Sequence, residues 1–220
     1  MITVHHLNNS RSQRILWLLE ELGLDYKIEK YQRDPVTMLA PQELLKIHPL
    51  GKSPLITDGG VTLAESGAII EYLLNTYGEG KLRPTLDSAD ARRFTYFLHY
   101  AEGSLMPPLL MSLVFSRLSK PPVPFFIRPI AKVIELGIRK KYLDPELKKH
   151  FDFLELELSN REWFAGSQFS AADIQMSFPI EAGASRVGFK NRPHLQKFFD
   201  RIHSRDSYQK ALQRGGEYAI

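Results

Sequence analysis

The sequence predicts an α/β domain followed by an all-helical domain. Strand and helix patterns alternate in the order β-α-β-α-β-β-α over roughly the first 80 residues, and strand patterns nearly vanish beyond residue 87. Between these two parts, residues 78–86 combine glycine and proline with few apolar side chains, which is typical of a linker. We therefore expect an N-terminal domain over residues 1–80 and a C-terminal domain over residues 87–220.

The first 47 residues carry two strand patterns and two helix patterns. Residues 2–7 have enough alternation to form a strand, and aliphatic residues at helical spacing then predict a helix from about Ser12 to a stop at Gly23. Residues 25–31 alternate polar and apolar side chains, which indicates a second strand. A short helix is expected over residues 37–47.

A hairpin and a helix follow. Pro54 should begin a strand, because proline supplies no N–H to a central ladder. Residues 58–60, Asp-Gly-Gly, favour a tight turn before a return strand over residues 61–63. A helix is then expected from Ser66 to about Tyr77. This is the thioredoxin-like order, in which the first two strands, joined by one helix, should be parallel.

The second half contains several helix patterns. Residues 87–118 form the first, with a kink expected at the adjacent prolines 107 and 108. Residues 119–129 are rich in proline and should interrupt the helices, and two more helices are expected over residues 130–142 and 145–158. Ser170 and Asp173 have the spacing of a capping box, which predicts the start of another helix.

Composition excludes several kinds of site. The 220 residues contain no cysteine, so disulfides, thiolate metal sites and cysteine nucleophiles are ruled out. His5 and His6 are adjacent in the first strand, so their side chains should face opposite sides and cannot form one tight site. The net charge of +4, without a dense basic tract, gives no reason to expect a nucleic-acid partner. With no signal-peptide core and no apolar run of about 20 residues, we expect a cytoplasmic protein.

Two motifs of the first half, HPLGKSP and LAESGAII, resemble the glutathione-binding half of the glutathione S-transferase family. A Ser or Glu before an apolar helix also marks a helix N-terminus, which attracts anions. The resemblance implies that Pro54 is cis and exposes the backbone of Ser53 to the cysteinyl part of glutathione. It further implies that Glu65 and Ser66 take the γ-glutamyl carboxylate and that Lys52 lies near the glycyl carboxylate. Glutathione would be a substrate, and no metal ion is expected.

The resemblance also implies that a side chain between strand one and helix one activates the thiol. A hydroxyl that donates a hydrogen bond to sulfur there favours the nucleophilic thiolate. Aligning Arg14 with the arginine of theta- and delta-like members places Ser10 in the catalytic position, whereas aligning on the serine-rich pattern of zeta-like members places Asn9 there. We predict Ser10, with Asn9 as the alternative, and Ser12 as the helix cap. The chain is thus similar to serine-type cytosolic members of bacteria or fungi.

A second, electrophilic substrate would contact the first helix of the C-terminal domain. Candidates that the resemblance implies are Met106, Leu109, Leu110 and Phe115, although core packing explains each equally well. The family usually forms homodimers, and residues 100–102 often approach the partner's site. The apolar segment 119–141 is open to three interpretations: a lid, a membrane-facing segment, or ordinary packing. We expect ordinary packing, without membrane contact, because an interfacial helix needs a cleaner charged face.

These features lead to a functional hypothesis with two alternatives. The first is a glutathione transferase for detoxification, in which glutathione thiolate attacks small hydrophobic electrophiles. The alternatives are a non-catalytic module of the same fold, which binds ligands or proteins, and a glutathione-dependent peroxidase that uses the same site.

Overall fold

The computed structural model describes residues 1–216. The last four residues of the expected C-terminal domain, 217–220, lie outside the described residues. In residues 1–216 a four-stranded sheet with its helices precedes a helical region, as predicted. Among these residues, no helix is long and apolar enough to cross a membrane.

The sheet has the strand order β2-β1-β3-β4. Its strands are β1 (Ile2–Leu7), β2 (Tyr26–Tyr31), β3 (Leu55–Asp58) and β4 (Val61–Ala64). β1 and β2 are parallel, as predicted, and β3 runs antiparallel to both β1 and β4. Because β1 lies between β2 and β3, the loop after β1 comes close to the residues that lead into β3. This topology places the candidate site.

The helices of the first half are α1 (Ser12–Leu22) and α2 (Ser66–Tyr77). α1 ends at Gly23, which adopts the left-handed conformation with φ of 68°. The helix predicted over residues 37–47 is shorter than expected: a 3-10 helix covers Gln42–Lys46 alone. Asp34 Oδ1 accepts hydrogen bonds from the backbone of residues 36 and 37, and this local turn competes with a helix at its predicted start.

The helical half consists of α3 (Ala89–Tyr100), α4 (Met106–Arg117), α5 (Arg128–Ile138), α6 (Asp144–Ser159), α7 (Ala171–Arg186), α8 (Pro193–His203) and α9 (Asp206–Gly215). Five-residue π-helical turns connect α3 to α4 and α5 to α6. The prolines at 107 and 108 lie in the first turn of α4, where a missing N–H costs little. The predicted irregularity is therefore a π turn, Ala101–Leu105, directly before these prolines.

The capping box at the start of α7 is present as predicted. The backbone N–H and the hydroxyl of Ser170 both donate to Asp173 Oδ2, at 2.9 and 3.0 Å. The backbone N–H of Phe164 donates to Asp173 Oδ1 at 2.8 Å, which ties the preceding loop to the same carboxyl. Burial raises the pKa of Asp173 to about 6 despite these hydrogen bonds. The box fixes α7, whose side chains fill the core of the helical half.

Residues 119–141 do not pack as the sequence analysis expected. Within α5, every residue of which the structure describes, Glu135 is the one buried residue. Large apolar side chains of the segment, among them Phe125 and Val133, are exposed to solvent. The expectation of ordinary packing is therefore wrong for these exposed apolar side chains.

Candidate functional site

Two serines that are distant in sequence meet at the end of the sheet where β1 stops and β3 begins. Ser10 follows β1 and Ser53 precedes β3, and their hydroxyl oxygens lie 3.5 Å apart. The Ser53 hydroxyl also donates to the backbone carbonyl of His5 at 3.0 Å, which holds it against β1. Ser10 is buried, and the peptide bond between Ser53 and Pro54 is cis. The structure thus brings together the candidate activator and the strand edge that the resemblance assigned to the cysteinyl part of glutathione.

Ser10 belongs to a chain of hydrogen bonds that leads into the protein. Its Oγ lies 2.7 Å from Ser12 Oγ and accepts from the backbone N–H of Ser12 at 3.2 Å. Ser12 Oγ in turn lies 2.8 Å from His6 Nδ1. The prediction of Ser12 as the cap of α1 is wrong: Arg11 is the N-cap residue, and Ser10 Oγ satisfies the N–H of the first helical residue. The two hydroxyls are within reach of each other because the turn between them is tight.

His6 sets the direction of this chain. Burial, with a contribution from Lys30, lowers the pKa of His6 to about 4, so its ring is neutral at neutral pH. The ring donates a hydrogen bond to the backbone carbonyl of Gly215 at the end of α9. Its other nitrogen, Nδ1, is then an acceptor, so Ser12 donates to it. The Ser12 oxygen can then accept from Ser10, so the single Ser10 hydrogen lies toward Ser12 in this arrangement and donates to a bound ligand only after turning to the open end.

The two neighbouring histidines lie in different environments, as their positions in a strand predicted. His5 Nδ1 lies 3.2 Å from the Tyr31 hydroxyl, and His5 Nε2 lies 3.3 Å from Thr57 Oγ1. The two rings thus have different partners, and sequence reasoning missed the contacts of His6. No spacing signal links His6 to Ser12 and Gly215, because the contact depends on how the first strand and the last helix pack.

The alternative activator, Asn9, lies at a left-handed turn with φ of 50°. Its backbone carbonyl accepts from Arg33 Nη2 at 3.4 Å, and that of Asn8 accepts from Arg33 Nε at 3.2 Å. Arg33 therefore holds the loop through its backbone. Burial and the nearby Arg11 lower the pKa of Arg33. Sequence reasoning missed this cation beside the candidate site.

The start of α2 offers a site for an anion. Ser66 is the first helical residue and is buried, while Glu65 before it is exposed with φ of 70°, unusual for a residue other than glycine. Arg14 Nη2 donates to Ser66 Oγ at 2.9 Å. Ser66 Oγ is the acceptor in this bond. The hydrogen of the Ser66 hydroxyl is therefore available to donate to a ligand carboxylate. The helix N-terminus and the buried guanidinium below it both favour negative charge here.

Arg14 is the centre of an ionic network that joins both halves of the chain. It is 1 % exposed, and it donates to Glu102 Oε1 at 2.6 Å and to the backbone carbonyl of Gln175 at 2.7 Å. Arg11 Nε also reaches the Glu102 carboxylate, with 3.0 Å to Oε2. Burial acts to raise the pKa of Glu102, but Arg14 and Arg11 together hold it below its ordinary value. Glu102 thus contacts the site of its own chain, a contact that sequence reasoning missed.

The remaining candidates differ in exposure. Lys52 is exposed next to Ser53. Met106 and Leu109 belong to the buried core, whereas Leu110 is half exposed and Phe115 is partly exposed. Leu110 and Phe115 therefore provide the accessible apolar surface of this set. Among residues 1–216, no group of three or more metal-ligating side chains is close enough to hold a metal ion.

Comparisons with known proteins identify the family of the chain. The model of the glutathione S-transferase N-terminal domain matches residues 1–75, and that of the C-terminal domain matches residues 109–206. Glutathione S-transferase 3 of Schizosaccharomyces pombe is 43 % identical over 194 residues, which cover 88 % of this chain and 78 % of the relative. Glutathione S-transferase 1 of Saccharomyces cerevisiae is 37 % identical over 223 residues, covering 97 % and 95 %.

A solved structure gives the same result for the fold. The crystal structure of a glutathione S-transferase from Actinobacillus pleuropneumoniae is 32 % identical, with a TM-score of 0.83 over 99 % of this chain and 94 % of that one. Both the predicted fold class and the predicted resemblance are confirmed. The chain belongs to the glutathione S-transferase family.

Proposed function

We propose that the protein is a glutathione transferase that joins the sulfur of glutathione to small hydrophobic electrophiles. The observation that carries this proposal is the contact between Ser10 and Ser53 at the cis proline, with the Ser10 hydroxyl at the open end of a buried chain of hydrogen bonds. The named transferase relatives in two yeasts support it.

Three parts of glutathione have candidate partners. The γ-glutamyl carboxylate binds at the start of α2, where Ser66 donates a hydrogen bond and Glu65 lies beside it, above the Arg14 guanidinium. The cysteinyl part lies along the backbone of Ser53, before Pro54. The glycyl carboxylate lies near exposed Lys52. Ser66 and Lys52 each pair a ligand carboxylate with a donor or cation of the protein, and the backbone of Ser53 pairs with the cysteinyl amide.

In the proposed reaction, the glutathione thiol loses its proton to water and the Ser10 hydroxyl donates a hydrogen bond to the thiolate. The sulfur then attacks an electrophilic carbon, so that one carbon–sulfur bond forms as a leaving group departs or as electrons shift within the acceptor. Leu110 and Phe115 offer the apolar surface for the electrophile, whereas Met106 and Leu109 belong to the buried core. No metal ion takes part in this reaction.

The Ser10→Ala variant tests the proposed activator. We expect the pKa of the bound glutathione thiol to rise by about 1 to 2 pH units, because one hydrogen bond to a charged group is lost. Thiolate absorbance in the ultraviolet, followed against pH with glutathione bound, measures this pKa. Asn9→Ala is the matched variant, since Asn9 is the neighbouring alternative. A rise for Asn9→Ala with no change for Ser10→Ala would transfer the role to Asn9.

Assays on the wild-type protein distinguish the proposed function from its two alternatives. Glutathione binding measured by calorimetry without turnover of a panel of electrophiles would indicate a non-catalytic module. Turnover of an organic hydroperoxide without conjugation would indicate a glutathione-dependent peroxidase. Rapid conjugation is the outcome that the proposal requires.

We further propose a homodimer in the cytoplasm that takes part in detoxification, with domain bounds of 1–80 and 87–220. Family membership supports the dimer, and the absence of cysteine fits a reducing compartment. A mass in solution of about twice 25.2 kDa is expected for the dimer.

A further inference from the structure

The loop before α5 and the outer side of α5 expose an unusual amount of apolar surface. Six of the ten residues 125–134 are large apolar side chains that are exposed to solvent. We call these six the apolar face: Phe125, Phe126, Ile127, Ile130, Val133 and Ile134. Phe125 is 77 % exposed and Phe126 is 67 % exposed. Contiguous exposed apolar surface of this kind marks a site of interaction.

The orientation of α5 is the reverse of that expected for a surface helix. Such helices normally turn their apolar side to the core and their charges to water. In α5, all of which the structure describes, the one buried residue is Glu135, whose carboxylate accepts from Lys132 Nζ at 3.0 Å and from Ser119 Oγ at 3.3 Å. The side of the helix that carries Glu135 therefore faces the protein, and the core does not use the apolar face.

Basic residues flank the apolar face in the sequence. Residues 117–142 contain seven lysine and arginine residues and one acidic residue, Glu135, for a formal net charge of +6. The whole chain has a net charge of +4, so the other residues together are slightly acidic. Five of the basic residues flank the face in sequence: Arg117, Lys120, Arg139, Lys140 and Lys141. The positive charge of the molecule is thus concentrated in the segment that also exposes the apolar face.

A second copy of the chain does not fit this surface. A two-fold interface would place the same segment against itself and bring two net charges of +6 together. A specific protein partner would need polar groups to fix its register, yet Arg128 and Lys132 are the only polar side chains in residues 125–134. An anionic bilayer satisfies both features, because headgroups attract the cations and the boundary of the acyl chains takes up the apolar side chains.

We propose that the apolar face is a peripheral membrane anchor, which inserts Phe125 and Phe126 into the surface of an anionic lipid bilayer while the flanking lysine and arginine side chains contact its headgroups. This replaces the expectation of ordinary packing without membrane contact. The anchor lies on the surface of the bilayer and does not span it. It goes beyond the transferase reaction, and it places the enzyme where hydrophobic compounds concentrate.

The test is flotation of the full chain with lipid vesicles. Vesicles of phosphatidylcholine with about 30 % phosphatidylserine carry the negative surface, and pure phosphatidylcholine vesicles are the neutral reference. We expect binding to the anionic vesicles that weakens as sodium chloride is raised from about 0.1 to about 0.5 M. In the double variant Phe125→Ser/Phe126→Ser, the partition into anionic vesicles should fall by about tenfold or more, because two buried rings are lost.

Matched controls use exposed residues of α6. Leu156→Ser removes another exposed apolar side chain, since Leu156 is 62 % exposed, and it should leave vesicle binding unchanged. Lys140→Glu/Lys141→Glu should weaken binding more than Lys148→Glu/Lys149→Glu, which makes the same charge change at a distance from the apolar face. Glutathione conjugation in the absence of lipid reports that each variant is folded.

Three outcomes would overturn the proposal. Equal binding to neutral and anionic vesicles at all salt concentrations would remove the role of the cations. Equal binding by the double phenylalanine variant and the wild type would remove the role of the apolar face. A lower molecular mass in solution for that variant, without lipid, would show that the face joins copies of this chain.

Discussion

His6 is a neutral histidine that connects the candidate site to the last helix. In the folded protein burial lowers its pKa to about 4, whereas the ring titrates near its ordinary value of 6.5 in the unfolded chain. The unfolded state therefore binds the proton first as the pH falls. The contribution of His6 to stability is fully present above pH 6.5 and is lost progressively between about pH 6.5 and pH 4.

We therefore expect His6→Asn to reduce the acid sensitivity of the protein. Between pH 7 and pH 4.5 the free energy of unfolding should fall by about 2 kcal/mol more in the wild type than in the variant. Urea denaturation at the two pH values measures the difference. His194→Asn, which replaces an exposed histidine of α8, is the control. An equal loss of stability in wild type and His6→Asn would contradict the assignment. Asp173, whose pKa is raised, acts in the opposite sense in both proteins and cancels from the comparison.

At the scale of elements, two helical glycines differ in the space around them. A Cβ added to Gly183 of α7 would overlap the ring of Phe151 on α6, because that buried ring packs directly against the glycine. A Cβ added to Gly137 of α5 would meet no described atom within 4 Å. The first glycine is required for packing, and the second is not.

Gly183→Ala should therefore lower the free energy of unfolding by about 1–3 kcal/mol, which is typical of an overpacked core. Gly137→Ala should raise it by up to about 1 kcal/mol, because alanine is the better helix former. Thermal or urea denaturation of the two variants in parallel measures both changes in the free energy of unfolding. Loss of stability in both variants, or in neither, would mean that the contact between Phe151 and Gly183 does not control stability.

Some helices and strands could be predicted from the sequence, and others could not. β1 and α2 were predicted to within a residue, because alternation, a turn signal and a capping position are local properties. The start of the helix at residue 37 was wrong because Asp34 captures the backbone locally, which periodicity does not register. For α5, periodicity identifies an apolar stripe but not the side of the helix that faces the core. That choice depends on a distant contact, the bond between Ser119 and Glu135.

For the candidate site, motif spacing indicates Ser10, Ser53 and Ser66 as candidates, since each lies beside a local strand or helix signal. Their supporting residues could not be predicted in the same way. Arg14 meets Glu102 across 88 residues, and His6 meets the carbonyl of Gly215 at the opposite end of the described chain. Such pairs depend on how the two halves pack, and a single sequence carries no signal for that packing.

At the scale of the whole molecule, one hydrophobic core crosses both halves. The buried cluster contains Val4 and Trp17 from the first half and Phe164 from the second. Phe169 contacts two tryptophans, with ring centroids 5.6 Å from Trp17 and 4.9 Å from Trp163. A shared core of this kind predicts that the two halves unfold together rather than one after the other.

Two variants with one tryptophan each test this cooperativity. Trp163→Phe leaves Trp17 as a probe of the first half, and Trp17→Phe leaves Trp163 as a probe of the second, since the chain has two tryptophans. For each variant, urea unfolding followed by fluorescence and by circular dichroism should give coincident transitions. A tryptophan signal that changes well before the helical signal in either variant would show that the halves unfold separately.

The bond between His6 and Gly215 also has a consequence for the order in which the protein is made. A ribosome releases the first strand early, with His6, Ser10 and Ser12 close together in the chain, while the carbonyl that accepts from the imidazole is synthesised about 200 residues later. Until α9 has emerged and docked on α1, nothing fixes which nitrogen of His6 carries the hydrogen, and the Ser10 hydroxyl has no set direction. A nascent chain can thus have a folded sheet before the hydrogen-bond chain behind Ser10, the proposed thiol activator, is complete, because that chain also needs the residues of α9.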